Sequence, residues 1–438
     1  MPPVLFEREL LVPRDPGRAS PLVDLERGLA TQLEPGDVPI RLAITSTSRE
    51  CFRCEVGLLS GWDGLPPPSL FRFGHRPVEN ADSFNCVLLV PTGIGSEIGG
   101  HAGDATPVAA LLAAACDTLV THPNVVNASD IIDLPSNALY VEGSIVTRLL
   151  MGSVGLQRVR NNRVLVLLGH HEDELFTHAA INSVNAARAS YGLAVPAIAR
   201  LGPEFEMEAT YVGSGRAAGK VRGLGKLMAE LEDFSSAFDA VAISSQISVP
   251  PGYHAEYFES HGEMVNPWGG VEAMLTHAVS TLLNIPSAHA PMLETQEIAN
   301  ADPGIIDPRM AAEGVSLALI QSVLKGLQRS PRIVTEPTAM NHHGVFTAAD
   351  ISCLVIPDGS LGLPVLAALE QGIKVIAVRE NRNLMDNNLR ELPWQDGQLF
   401  AVENYWEAAG VMAALKAGID PASVRRPILP APVKETRE

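Results

Sequence analysis

The chain of 438 residues has few lysines, no long apolar run and only five cysteines. Each of these shortages argues against a particular mechanism or class of protein. Six lysines leave few candidates for a Schiff-base mechanism. No run reaches the ~18 apolar residues of a membrane span, and the N-terminus, MPPVLFEREL, has no signal-peptide core. Five cysteines at irregular spacing favour reduced thiols. We therefore expect a cytoplasmic protein without a membrane partner.

Basic residues are also in the minority, since the net charge is −18. Phosphate backbones require clustered Lys and Arg, so nucleic acid is not an expected partner. An apolar fraction of 46% is ordinary for a globular protein with a large core. The remaining partner class is a small-molecule substrate, and a homo-oligomer is left open.

The chain divides by composition near the proline-rich GWDGLPPPSL. Before it, PLVDLERGLATQL has helical periodicity and PIRLAITSTSRECFRCEVGLL is β-rich. We predict an accessory α+β segment over 1–78, an α/β ligand-binding or catalytic domain over 79–425, and a C-terminal tail over 426–438.

From Asn85 onward, short apolar runs alternate with helical patterns. Strands of this kind, each followed by a helix, are typical of a parallel sheet covered on both faces. The predicted fold is α/β with a doubly wound, mostly parallel sheet, Rossmann-like and with room for two lobes. One predicted helix covers 308–327. Ligands of such sheets bind at the carboxyl ends of the strands.

A glycine-rich loop, PTGIGSEIGGHAGDATP (91–107), follows the first of these strands. Glycine permits positive φ and close approach of backbone N–H groups to a ligand. The G-x-G-x-x-G spacing is absent, so no dinucleotide is expected. We assign acid–base roles to His101 and Asp104. The ligand-binding candidates of this loop are Thr92, Gly93, Gly99 and Gly100.

Other polar segments lie near strand ends and could converge on the same edge. His122 (THPNVVN) and His342 and His343 (MNHHG) are further acid–base candidates. The other ligand-binding candidates are Asn124, Asn127, Glu142, Asn266, Gly269, Gly270, His289, Asn341, Asp358 and Ser360. The alternative for the histidines is structural, namely that they satisfy buried loop carbonyls.

A divalent metal is left open as the cofactor, with His101 and His122 as its candidate ligands. Two weaker patterns are noted beside it. VGSGRAAGKVRG fails the phosphate-loop pattern and is read as a flexible loop, with Arg216 among the cations that could clamp an anion. Glu272 and His277 lie five positions apart on a predicted helix and are not expected to share a face.

Five motifs together carry a family resemblance: PTGIGSEIGGHAGDATP, THPNVVN, NPWGGVEAML, PSAHAPM and VIPDGSLGLPVLAALEQGIKVIAVREN. Over about residues 85–390 the chain resembles a bacterial family known from cyanobacteria, domain-of-unknown-function family 3326. It implies a single α/β unit and supplies no activity, substrate or catalytic residue.

The site chemistry therefore rests on the residues. Neither a G-x-S-x-G elbow nor an activated-cysteine signature occurs, so a covalent nucleophile is not indicated. We expect an enzyme acting on a small polar metabolite by acid–base or metal-assisted chemistry, of the hydrolase or lyase/isomerase type. The alternatives are a transferase of an activated, nucleotide-linked group and a non-catalytic small-ligand-binding protein.

Overall fold

The structure is a computed structural model that describes residues 2–15, 20–234, 237–316, 319–428, 430, 431 and 433. It has an α/β fold with two large sheets and one small one. The strands are β1 (Val4–Pro13), β2 (Val38–Thr47), β3 (Cys51–Ser60), β4 (Asn85–Leu88), β5 (Thr118–Thr121), β6 (Ala138–Tyr140), β7 (Gly155–Gln157), β8 (Val164–Leu168), β9 (Ile198–Arg200), β10 (Glu206–Tyr211), β11 (Ala217–Arg222), β12 (Ala240–Ser248), β13 (Ser287–Met292), β14 (Arg332–Val334), β15 (Val345–Phe346), β16 (Cys353–Pro357), β17 (Lys374–Val378) and β18 (Leu399–Val402).

The helices lie mainly between the strands of the C-terminal four-fifths of the chain. They are α1 (Pro21–Ala30), α2 (Thr106–Ala114), α3 (Pro123–Val126), α4 (Gly143–Leu150), α5 (Glu174–Tyr191), α6 (Leu224–Asp233), α7 (Tyr253–Glu259), α8 (Gly269–Leu283), α9 (Gln296–Asn300), α10 (Ala311–Gly314), α11 (Gln321–Gln328), α12 (Pro337–Met340), α13 (Leu363–Gln371) and α14 (Tyr405–Lys416).

One large sheet has six parallel strands in the order β18-β17-β16-β4-β5-β6. Alternate residues of β4 enter different cores: Val87 packs with α4 and α13, and Leu88 packs with α2 and α14. Both faces are therefore covered by helices, which explains why these strands are continuous apolar runs. The predicted α/β fold with a parallel sheet is confirmed.

The other large sheet has nine strands, in the order β2-β3-β1-β11-β10-β12-β8-β9 with β13 also paired to β12. Its β8, β9, β12 and β13 are parallel, whereas β1, β2, β3 and β11 are antiparallel. This mixed sheet is a difference from the expected single, mostly parallel sheet. There are two causes: antiparallel strands from the N-terminal segment extend the sheet, and β10 and β11 pair antiparallel within it.

The N-terminal segment is joined to the rest of the chain by this sheet, because β1 lies between β3 and β11. A buried ionic network crosses the same junction: Arg216 Nη1 lies 2.5 Å from Glu55 Oε2 and 3.3 Å from Glu7 Oε2. Arg41 Nη1 lies 3.0 Å from Glu7 Oε1. The division at residue 78 stays a prediction, and the flexible-loop interpretation of Arg216 is wrong, since it precedes β11 and is fully buried.

Two further predictions meet the limits of the described residues. The predicted helix 308–327 contains residues 317 and 318, which lie outside them, and its described part holds two shorter helices, α10 and α11. Of the predicted tail 426–438, residues 429, 432 and 434–438 lie outside them as well.

Candidate active site

A cavity of about 290 Å³ lies at the carboxyl ends of strands from both large sheets. Its lining includes residues that follow β4, β5, β6 and β16 of the parallel sheet and β13 of the mixed sheet. Ligand pockets are typically about 300–1,000 Å³, so this one is sized for a small metabolite. Helix α8 supplies one wall of it with Gly269, Glu272, Ala273, Thr276 and His277.

A histidine–carboxylate chain supports the first cavity carboxylate, Glu272. His289 Nδ1 lies 2.8 Å from Glu272 Oε1, and His289 Nε2 lies 2.9 Å from Ser245 Oγ. The His289 side chain is fully buried, whereas that of Glu272 is 23% exposed. The chain therefore runs from the protein interior, at Ser245, to a carboxylate at the cavity wall.

A second pair joins Glu142, which follows β6, to His277. Glu142 Oε1 lies 2.5 Å from His277 Nδ1, and Glu142 Oε2 accepts a hydrogen bond from the Ser144 N–H at 2.9 Å. Burial raises the pKa of Glu142, but His277 and Ser144 outweigh burial and the net pKa is lowered. Glu142 is thus an ionised group that caps α4 and lies in ionic contact with His277.

His122 contacts the backbone of the glycine-rich loop rather than another side chain. Its Nε2 accepts a hydrogen bond from the Val90 N–H at 3.1 Å. Burial lowers the pKa of His122 to about 4, so the ring is neutral at physiological pH. An acceptor Nε2 leaves the ring proton on Nδ1.

His101 belongs to a different cluster, which covers the cavity from the side of α7. Its Nδ1 lies 2.7 Å from the Tyr257 hydroxyl, and burial lowers the pKa of His101. Glu313 Oε1 accepts hydrogen bonds from Asn266 Nδ2 at 2.6 Å and from the Ala102 N–H at 3.2 Å. Burial raises the pKa of Glu313 to about 8, which keeps it protonated near neutral pH.

Several buried polar atoms of the cavity lining have no hydrogen-bond partner. Within the described residues they are Asn127 Oδ1, Arg148 Nη1, His277 Nδ1, Glu313 Oε2 and Ser360 Oγ; of these, His277 Nδ1 is close to Glu142 Oε1 but outside hydrogen-bond geometry. Buried polar atoms in folded proteins are nearly always satisfied, by protein, water or ligand. Their concentration around one cavity leaves several donors and acceptors of its wall unpaired within the described residues.

The structure brings many of the sequence-predicted residues together at this cavity. Those that line it are Thr92, Gly93, Gly100, His101, His122, Asn124, Asn127, Glu142, Asn266, Gly269, His289 and Ser360. Several of them also hold the wall together: Asn124 Nδ2 donates to the Gly99 carbonyl at 2.7 Å, for example. The ligand-binding and catalytic roles given to them stay predictions.

Four predicted residues lie beside the cavity and not in its lining, namely Gly99, Asp104, Gly270 and Asp358. Asp104 Oδ1 accepts hydrogen bonds from the N–H groups of Gly99 and His101, and burial raises the pKa of Asp104 to about 6. The Gly270 carbonyl accepts a hydrogen bond from Arg41, and Asp358 Oδ1 accepts one from the Gly359 N–H. Each of these contacts fixes a loop.

The MNHHG segment lies apart from the cavity. Asn341, His342 and His343 are exposed, and His342 Nδ1 contacts the His343 carbonyl at 2.7 Å. The segment follows α12 and precedes β15, which pairs antiparallel with β7 in the three-stranded sheet. Because it follows no strand of the parallel sheet, it does not reach the shared edge, and no contact in the structure supports its catalytic role.

Sequence reasoning missed three cavity residues. Glu272 and His277 were expected on different faces of α8, but both line the cavity, because it extends across a broad face of the helix. Arg148 gave no signal beyond a cation in the apolar run IVTRLL. Among the described residues, no group of three or more His, Cys, Asp or Glu is arranged to hold a metal ion.

Comparison with known proteins gives one family and a bacterial relative. Residues 85–425 match the model of a family described as protein of unknown function (DUF3326), which confirms the resemblance. An uncharacterized lipoprotein of Synechococcus sp. is 33% identical over 350 residues, which is 78% of this chain and 93% of the relative. No solved structure matches the chain.

The relative's name corrects one expectation. A relative named as a lipoprotein contradicts the cytoplasmic location predicted from cysteine usage, and that prediction is withdrawn. Within the part of the chain that the structure describes, no helix has both the length and the hydropathy required to cross a bilayer.

Proposed function

We infer the function of this chain, which belongs to the family described as protein of unknown function (DUF3326), from the cavity at its strand ends. We propose an enzyme that acts on a small polar metabolite by general acid–base chemistry, of the hydrolase or lyase/isomerase type. One observation carries the proposal: two histidine–carboxylate pairs, Glu272–His289 and Glu142–His277, line the same small cavity.

Glu272 is the proposed general base. Ser245 Oγ lies 3.2 Å from Met207 Sδ and 2.9 Å from His289 Nε2, and the imidazole nitrogen is the stronger acceptor for its one hydroxyl proton. With that proton on the imidazole side, His289 is the Nδ1–H tautomer and donates to Glu272 Oε1. This leaves the other carboxylate oxygen of Glu272 available to take a proton from a bound molecule. Geometry of this kind typically contributes about 10²–10⁴-fold to a rate.

His277 is the proposed general acid. Glu142 Oε1 lies 2.5 Å from its Nδ1, in ionic contact, so Nε2 is the nitrogen directed away from the carboxylate. Glu272 and His277 lie on the same helix, α8, and both line the cavity. A ligand between them could therefore lose a proton to one residue and gain a proton from the other.

We further propose that the parallel sheet is doubly wound and Rossmann-like and that the mixed sheet forms a second lobe. If β4, β5, β6, β16, β17 and β18 are numbered 1 to 6 in chain order, their order across the sheet, from β6 to β18, is 3-2-1-4-5-6. The order reverses between β4 and β16, the place where such sheets bind ligands. The loops after both strands, at Thr92 and Ser360, line the cavity, which supports a ligand site there.

The test begins with a metabolite library screened by thermal shift, followed by product analysis of the stabilising compounds. We expect Glu272→Gln to bind the active compound as the wild type does and to lose about 10²–10⁴-fold in turnover. The matched control is Glu206→Gln, an exposed carboxylate that pairs with Arg222 on the surface. It should leave turnover unchanged.

Two results would contradict the proposal. The first is full turnover by Glu272→Gln with the same substrate. The second is tight binding of a compound that the wild type never converts, which would support the ligand-binding alternative instead.

A further inference from the structure

We propose that Arg148 and Ser360 bind an anionic group, a carboxylate or a phosphate, of the molecule that occupies this cavity. The inference builds on the proposed function, because it concerns the same cavity and the same ligand. It adds the chemical class of that ligand, namely a compact organic acid or a phosphate ester.

Arg148 is the first part of the argument. The residue is 6% exposed and lines the cavity, and its Nη1 is buried without a partner. Its Nη2 donates to Asn284 Oδ1 at 2.8 Å. Burial lowers the pKa of Arg148 to about 10, so the guanidinium remains charged at neutral pH.

No carboxylate within the described ranges forms an ion pair with Arg148. The negative charge that acts on it through space is that of Glu142, which already contacts Ser144, Thr276 and His277. A buried charge without a counter-ion is strongly unfavourable. An anion delivered by the ligand would both pair the charge and satisfy Nη1.

Ser360 and the start of α13 are the second part. Ser360 is 2% exposed and its Oγ has no partner. Helix α13 has nine residues, and its N-cap residue, Gly362, provides no side-chain hydrogen bond to the first turn. Both Ser360 and Gly362 line the cavity. A hydroxyl donor and a helix N-terminus favour the same ligand group, since the helix dipole attracts negative charge.

The two parts complement each other, because a guanidinium and a hydroxyl are donors that bind carboxylates and phosphates in proteins. Helix α13 adds its dipole, since Pro364 has no N–H and the Val365 N–H already donates to the Gly362 carbonyl at 3.1 Å. The remaining wall carries Glu272, a carboxylate that accepts hydrogen bonds. The other end of the ligand should therefore carry a hydroxyl or an amine.

The experiment measures binding of two simple probes, inorganic phosphate and malonate, by titration calorimetry. We expect saturable binding of at least one probe by the wild type below about 10 mM. Arg148→Met should weaken that binding about ten- to hundredfold, and Ser360→Ala severalfold. Which probe binds distinguishes a phosphate group from a carboxylate.

Melting temperatures separate a binding role from a structural one. Removing the unpaired hydroxyl should leave the Tm of Ser360→Ala unchanged or higher. The Tm of Arg148→Met should fall by no more than the loss of its one hydrogen bond to Asn284 explains, because the buried charge without a counter-ion is removed with it. The matched control is Ser352→Ala, since Ser352 Oγ is buried and accepts a hydrogen bond from the Asn85 N–H. It should lower the Tm and leave probe affinity unchanged. Arg148→Gln is the second variant, because its amide keeps a donor for Asn284.

The proposal is overturned if the wild type binds neither probe, if Arg148→Met binds as the wild type does, or if neither Arg148 variant folds. These failures are distinct from failure of the proposed enzyme. Normal probe binding without any turnover would refute catalysis and leave the anion site standing. Loss of turnover in Glu272→Gln together with undiminished probe binding in Arg148→Met would support catalysis and refute the anion site.

Discussion

His122 and His101 each use one ring nitrogen for a contact within the protein, at the Val90 N–H and the Tyr257 hydroxyl. The two histidines were expected to be either functional residues or structural acceptors. Their contacts show that each has a structural partner, and both also line the cavity. The Gly262 backbone also hydrogen-bonds the His101 ring. At the scale of the residue, these contacts leave Nδ1 of His122 as the ring nitrogen available to a ligand.

The protonation of His122 leads to a prediction about pH. Its folded-state pKa of about 4 lies below the ordinary value of 6.5, so the unfolded chain binds more protons between these values. The contribution of His122 to stability is present above pH 6.5 and is lost as pH falls towards 4. Unfolding by denaturant at several pH values should show a smaller loss in His122→Gln.

Two substitutions at His122 separate its hydrogen bond from its charge. In His122→Gln the side-chain oxygen can still accept from the Val90 N–H. His122→Leu leaves that buried N–H without an acceptor and should cost about 1–3 kcal/mol at neutral pH. Equal stability of the two variants at pH 7 would contradict the assigned hydrogen bond.

At the scale of elements, the glycine-rich loop is packed against the protein itself. A Cβ at Gly103 would lie 2.6 Å from the Ala128 nitrogen, and one at Gly93 would lie 2.9 Å from the Ala217 carbonyl. These glycines bring the loop close to other backbone segments, whereas the sequence suggested that they bring it close to a ligand. Their first physical role is to let the loop pack closely against the segments that contain Ala128 and Ala217.

Gly103→Ala tests this role against a matched control. Gly103 has φ +64° and Gly344 has φ +95°, so an alanine is strained at both, but no atom lies within 4 Å of a Cβ at Gly344. We expect Gly103→Ala to lower the free energy of unfolding by clearly more than the ~1–3 kcal/mol of backbone strain that Gly344→Ala should cost. Chemical denaturation of both variants measures it, and equal losses would show that the close approach does not matter.

At the scale of the whole molecule, the N-terminal segment contributes to the cavity wall through Arg41. Its Nη2 donates to the Thr92 carbonyl at 2.8 Å and its Nη1 to the Gly270 carbonyl at 3.2 Å. The segment also supplies Glu7 and Glu55, the two carboxylates that contact the buried Arg216. The cavity thus depends on residues from both sides of the predicted boundary.

Deletion of residues 1–78 should accordingly be severe. It would remove β1 from its place beside β11 and leave Arg216 without either carboxylate. Loss of one partner of a buried ion pair alone costs about 3–5 kcal/mol. We expect a truncated chain without a cooperative thermal transition. A folded fragment that survives limited proteolysis near residues 62–80 would instead support the accessory segment predicted from composition.

The sequence by itself determined the local features of this protein. Apolar runs such as NCVL and CLVIP became buried parallel strands, because only a strand covered on both faces has that composition. Strand ends then placed His122, Glu142 and Ser360 at one edge, since the carboxyl ends of parallel strands share it. These residues follow from patterns that span only a few positions of the chain.

Only the tertiary structure decided which distant groups pair. His289 contacts Glu272 and Ser245, Arg216 contacts Glu7 and Glu55, and Arg148 contacts no carboxylate among the described residues. Such contacts produce no periodic pattern in a single sequence, because they depend on how the mixed sheet packs beside the parallel sheet. The MNHHG segment lies apart from the cavity for the same reason: its position depends on the pairing of the β15 strand that follows it with β7, which no local pattern encodes.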